Sequence, residues 1–147
     1  MPTDHVRRRR RAATALGVVA LAVAALVPPR AADADETTVT LTLSAPERIE
    51  VGDRVALTAT VRLAPPNDLP LLLTPSAEGT AVDVVRGRLL RANANDPDAA
   101  PLVFRIPLVA RGSGTAVVRV EVLAYACDEL CHEVRAGRTL TLRVHPR

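Results

Sequence analysis

Residues 54–63 read Arg-Val-Ala-Leu-Thr-Ala-Thr-Val-Arg-Leu, with Val55, Leu57, Ala59, Val61 and Leu63 on alternate positions. An apolar period of two places one face of an extended segment against a core and leaves the other to Thr and Arg, so this is a half-buried β-strand. Upstream, Val39, Leu41 and Leu43 alternate with Thr40 and Thr42 in the same way, and Ser44-Ala45-Pro46 and Val51-Gly52-Asp53 bracket a short edge segment. Downstream, Ala64-Pro65-Pro66-Asn67-Asp68 ends the strand. Residues 69–74 are apolar on successive positions but interrupted by Pro70, which suits an edge strand or an ordered loop.

Leu102, Phe104, Ile106 and Leu108 make a further one-faced strand, bounded by Pro101 and by the turn Arg111-Gly112-Ser113-Gly114. Residues 116–127 read as the longest strand and 139–144 as the last. Residues 80–85 and 88–92 flank Gly87 and are expected to pair, followed by a polar turn over 93–100. No segment from residue 35 onward keeps a helical period. Short strands about ten residues apart, with turn chemistry between them, predict an all-β, immunoglobulin-like two-sheet β-sandwich of about seven strands. The run Ser44-Ala45-Pro46-Glu47-Arg48-Ile49-Glu50-Val51-Gly52-Asp53 resembles the start of many bacterial immunoglobulin-like modules.

Ahead of the sandwich, Arg7 to Arg11 form a basic stretch, residues 12–27 are an uncharged apolar run, and Pro28-Pro29 breaks it. That is the layout of a signal peptide, and the run falls short of the roughly 20 residues of a comfortable membrane span. Ala32-Asp33-Ala34 supplies a small-x-small site, so residues 1–34 are expected to be removed before Asp35, leaving 35–147 as one domain. The alternative is a retained N-terminal anchor. Either way the domain is exported, to a periplasmic or extracellular space where disulfides persist. No membrane insertion is expected after cleavage.

Charge follows the same division. The chain carries +3, but 13 of its 19 arginines and 14 of its 16 acids lie in residues 35–147, so the processed domain is close to neutral. Its arginines are scattered, and Phe104 and Tyr125 are the only aromatics, which excludes a phosphate-binding stripe or a base-stacking platform. Nucleic acid is not an expected partner. The core must be made of Val, Leu, Ile and Ala.

One cluster holds residues that can do more than pack: Tyr125-Ala126-Cys127-Asp128-Glu129-Leu130-Cys131-His132. It lies between the last two strands. If those strands form a hairpin, the cysteines occupy near-facing positions with Cα atoms about 4.5–5.5 Å apart, within disulfide range. A Cys127–Cys131 disulfide is therefore expected in an oxidising compartment. As a staple it would constrain the unfolded chain by only about 2 kcal/mol, since the loop it closes is short. Asp128, Glu129 and Glu133 disfavour a thiolate, opposed by His132 and Arg135.

On Tyr125, Cys127 and Cys131, the chain resembles the N-terminal periplasmic domain of the DsbD family of membrane electron transporters. The resemblance implies an immunoglobulin-like domain whose cysteine pair exchanges with a thioredoxin-like protein of the cell envelope, with Cys127 and Cys131 as the redox pair. Tyr125 and His132 are the supporting residues in that reading. The cysteine spacing here is narrower than that family's. The other class of reading is a non-catalytic binding or structural module that docks through a sheet edge or through residues 65–75, with the disulfide as a staple. Cys127, Cys131 and His132 also offer two soft ligands and an imidazole that could hold Cu(I) or Zn(II), but no fourth ligand is evident, so neither metal nor cofactor is assigned. Ser44, Ser76 and Ser113 sit in turns without a nucleophile context, and no hydrolase arrangement is expected.

Overall fold

The computed structural model describes residues 37–127 and 129–147. The expected leader and its cleavage site lie outside them. Within the described residues the chain forms β1 (Thr38–Ser44), β2 (Ile49–Glu50), β3 (Arg54–Ala64), β4 (Leu71–Glu78), β5 (Val82–Val84), β6 (Leu89–Leu90), β7 (Leu102–Ala110), β8 (Gly114–Cys127) and β9 (Cys131–His145). A single 3-10 turn, Arg91–Asn93, follows β6. No helix among the described residues is long and apolar enough to cross a membrane.

Two sheets result, in the orders β1-β3-β7-β5 and β2-β9-β8-β4-β6. Every pair is antiparallel except β2 with β9. The chain changes sheet at every step from β1 to β8, and only β8 and β9 follow one another within a sheet, giving an immunoglobulin-like two-sheet sandwich. The core lies where the alternating strands directed it: Leu57, Ala59 and Val61 of β3 and Phe104, Ile106 and Leu108 of β7 are buried in one sheet. Val118, Val120 and Val122 of β8 face them from the other. Ala59 lies opposite Phe104 in the register, so a buried alanine of β3 makes room beside the single buried ring among the described residues. No polar or charged residue is buried among those described.

Three sequence expectations are corrected. The segments around Gly87 do not pair with each other: β5 joins β7 in the first sheet, while β6 joins β4 in the second. Val82 and Leu89 are both buried, each on its own sheet, and residues 85–88 carry the chain across. The last strand begins at Cys131 rather than near Thr139, and β9, at 15 residues, exceeds the 14 of β8. Its first half has little apolar periodicity of its own and is extended because the backbone of β8 pairs with it. Finally, the segment after Pro70 is a full eight-residue strand, with Pro75 inside it. Pro75 is tolerated because β6 pairs only with Leu72 and Leu73, so the sheet edge beyond that point needs no N–H from it.

Because Phe104 is the one large ring in an otherwise aliphatic core, Phe104→Ala should lower the unfolding free energy by about 3–5 kcal/mol. A urea midpoint measured on both proteins, at unchanged slope, checks this.

Candidate functional site

The hairpin between β8 and β9 is built on one register, running without a bulge from Gly114 opposite Val144 to Cys127 opposite Cys131. Along β8 the even positions Val118, Val120, Val122, Ala124 and Ala126 are buried. The odd positions Glu121, Leu123, Tyr125 and Cys127 therefore stand on the outer face. Facing residues of an antiparallel pair share a face, so Cys131, Glu133 and Arg135 stand there too.

At the tip, Cys127 and Cys131 are joined by a disulfide, with Cα atoms 4.0 Å apart. This is on the short side of the expected facing-pair spacing. Both cysteines are exposed. Their pair is one of the narrow, non-hydrogen-bonded pairs of the ladder, as the neighbouring Tyr125 shows. The Tyr125 carbonyl turns away from β9 and accepts a hydrogen bond from Asn67 Nδ2 at 3.3 Å. Opposite it, the Glu133 backbone must turn away from β8, toward the free side of β9.

Of the four residues singled out from the sequence, the structure brings three together on one face. Tyr125 is half-buried, two positions before Cys127 and opposite Glu133. His132 is exposed and pairs with Ala126, whose side chain is buried, so it belongs to the opposite face from Cys131. It is thus a poor partner for either sulfur, and the three-ligand set of Cys127, Cys131 and His132 is not assembled. Among the described residues no three His, Cys, Asp or Glu side chains come together as a metal site. Arg135 is on the correct face but committed: its Nη2 donates to Glu133 Oε2 at 2.8 Å. That hydrogen bond and the carboxylate charge hold the guanidinium pKa above its ordinary value.

Sequence reading missed the residues that brace the base of this hairpin. Asn67 was visible only as part of a strand-breaking run, yet it both supports Tyr125 and accepts the Leu69 N–H on Oδ1 at 3.2 Å. Arg91 donates from Nε to the Leu69 carbonyl at 2.9 Å, from Nη2 to the Asn67 carbonyl at 2.8 Å and from Nη1 to the Pro97 carbonyl at 3.1 Å. The separations of 22 and 24 residues in two of these contacts leave no local signal. The loop that reaches the Tyr125 carbonyl is therefore tied to Arg91 at both Asn67 and Leu69.

No protein-family model matches the chain, and no curated protein matches it. Among solved structures, it is similar to native alpha-2-macroglobulin from Escherichia coli, in a crystal structure spanning domain MG7 to the C-terminus. The identity is 18% and the TM-score 0.47, over 77% of this chain and 17% of that one. The chain thus spans less than a fifth of the structure it matches. The resemblance to the DsbD family rests on Tyr125, Cys127 and Cys131 alone.

The ladder holds the two strands over 14 facing pairs whether or not their tip is bridged. Replacing both cysteines, Cys127→Ser with Cys131→Ser, should leave the sandwich folded by circular dichroism and cost no more than about 2 kcal/mol in urea unfolding.

Proposed function

We propose that this is an exported immunoglobulin-like domain whose Cys127–Cys131 disulfide exchanges with a dithiol protein of the cell envelope. The observation that carries the reading is the position of the disulfide: exposed, at the end of a hairpin that needs little help to stay paired. A bridge placed for stability gains most by closing a long loop, and this one closes a very short one. Export rests on the leader pattern in the sequence, and with it the oxidising compartment in which such a disulfide is kept.

The surroundings suggest which sulfur is attacked. A thiolate must approach along the extension of the S–S bond. On the Cys127 side, Asn67 of the loop tied to Arg91 bonds to the Tyr125 carbonyl, two residues before the sulfur. On the Cys131 side, the far edge of β9 is paired among the described residues by β2 alone, at Val144 and His145, which leaves Cys131 the more approachable sulfur. The partner thiolate bonds to Cys131 Sγ, the bond to Cys127 breaks, and Cys127 departs as a thiolate that takes up a proton. A second partner thiolate then attacks the partner sulfur of the mixed disulfide and releases Cys131. The partner dithiol is oxidised and the cysteine pair reduced.

A staple in a non-catalytic binding module is the second reading. The charges near the bridge favour it, since Arg135 is already paired with Glu133 and little stabilises a departing thiolate. One measurement separates the two. The midpoint potential against glutathione should lie above about −300 mV, and mixing with a reduced thioredoxin-fold protein should oxidise it. The acid-quenched mixed disulfide should map to Cys131. A potential well below that value with no exchange leaves only the staple.

A further inference from the structure

The second feature of the hairpin is its open side. β9 is paired along one edge by β8 from Cys131 to Val144, but among the described residues its other edge is paired only by β2, at Val144 and His145. Toward the middle of β9 that edge meets the first sheet, where Arg138 Nε donates to the Leu41 carbonyl at 3.1 Å. β1 lies close to β9 around this contact, and residues 131–137 are on the hairpin-tip side of Arg138. They contain no proline or bulge to blunt a free edge, and the charges they carry there are Glu133 and Arg135, of opposite sign.

The direction of the free backbone groups follows from two contacts already at hand. Tyr125 turns its carbonyl away from β9, so Glu133 opposite it turns its N–H and C=O to the free side. At the other end the His145 carbonyl, also on that side, accepts the Val51 N–H at 3.0 Å. With an unbroken register, Cys131, Glu133, Arg135 and Gly137 all present N–H and C=O groups to the open edge. These are the groups that an added strand would take up.

We propose that this edge pairs antiparallel with the same edge of a second copy of the chain, about a two-fold axis through Val134. In that register Glu133 of one copy faces Arg135 of the other, and Arg135 faces Glu133, so both outer-face pairs are of opposite charge. Moving the axis to Glu133 would set carboxylate against carboxylate, and moving it to Arg135 would set guanidinium against guanidinium. Opposite charges in facing positions stabilise a strand pair and like charges destabilise it, so charge selects the Val134 register. On the other face Val134 meets its own copy, and His132 meets Ala136. Cys131 faces Gly137, which has no side chain to cover its sulfur. The association does not require the disulfide to exchange, but the second copy's strand lies on the side of β9 from which a partner thiol would reach Cys131, so the two compete.

The contact is small beside the roughly 800 Å² per partner of a standard interface, so the dimer is expected to be weak, with a dissociation constant on the order of 100 µM. Sedimentation of the protein as its host produces it, up to about 1 mM, should show a reversible monomer–dimer equilibrium. Arg135→Glu should weaken it roughly tenfold or more, and so should Glu133→Arg. The combined variant, Glu133→Arg with Arg135→Glu, restores opposite pairs and should recover the original affinity. Circular dichroism on each variant confirms that the exposed substitutions leave the sandwich intact, and the recovery in the double variant does so independently. A protein that stays monomeric throughout, including one that captures only an extended segment of another protein, overturns the proposal. So does a dimer indifferent to the charge reversals.

Discussion

The unbroken pairing of β8 with β9 sets the terms for most of what the second sheet does. Slipping it by one residue would turn Val118, Val120 and Val122 outward and bring Glu121 and Leu123 into the core, a change the buried face does not permit. The same register, held by the core at its middle, reaches the tip as Cys127 opposite Cys131. The disulfide is thus a consequence of packing several residues away. Its exposure follows from the same alternation, because odd positions of β8 face solvent wherever even ones face Phe104 and its neighbours.

Charged groups contribute little to holding the sandwich and more to shaping its surface. The ion pairs of Arg48 with Glu50, Arg111 with Asp83 and Arg147 with Asp53 all have exposed arginines, and such pairs are each worth at most about 1 kcal/mol. Arg91 differs from them. Its guanidinium spends its donors on the carbonyls of Leu69, Asn67 and Pro97, and through Asn67 it supports the Tyr125 carbonyl. This is how an irregular, proline-rich loop comes to support β8 at Tyr125 near its end.

Much of the fold was legible because burial is one-sided. Strands with apolar residues at every second position, such as Val55 to Leu63 and Leu102 to Leu108, announce both their conformation and their inner face. The cysteine pair was legible for a related reason, since two cysteines flanking a hairpin turn must face each other if the hairpin forms. The short strands β5 and β6 were misjudged as partners because Val82 and Leu89 look alike in sequence, and nothing local says that they belong to different sheets. The first half of β9 was missed because Glu133, Arg135 and Gly137 on its outer face give no apolar signal, and its extension comes from the neighbour's backbone.

By itself, then, the sequence determined the class of the fold, the inner faces of its long strands and the one place where sulfur chemistry was possible. These depend on the order of apolar and polar residues along the chain, which local periodicity records. The tertiary structure alone decided that Asn67, held by Arg91, supports the Tyr125 carbonyl two residues from the disulfide, and that among the described residues the half of β9 next to Cys131 pairs with β8 alone. Each of these is a contact, or the lack of one, between segments far apart in the chain, where hydrogen-bond partners are chosen by the meeting of strands rather than by neighbours in sequence.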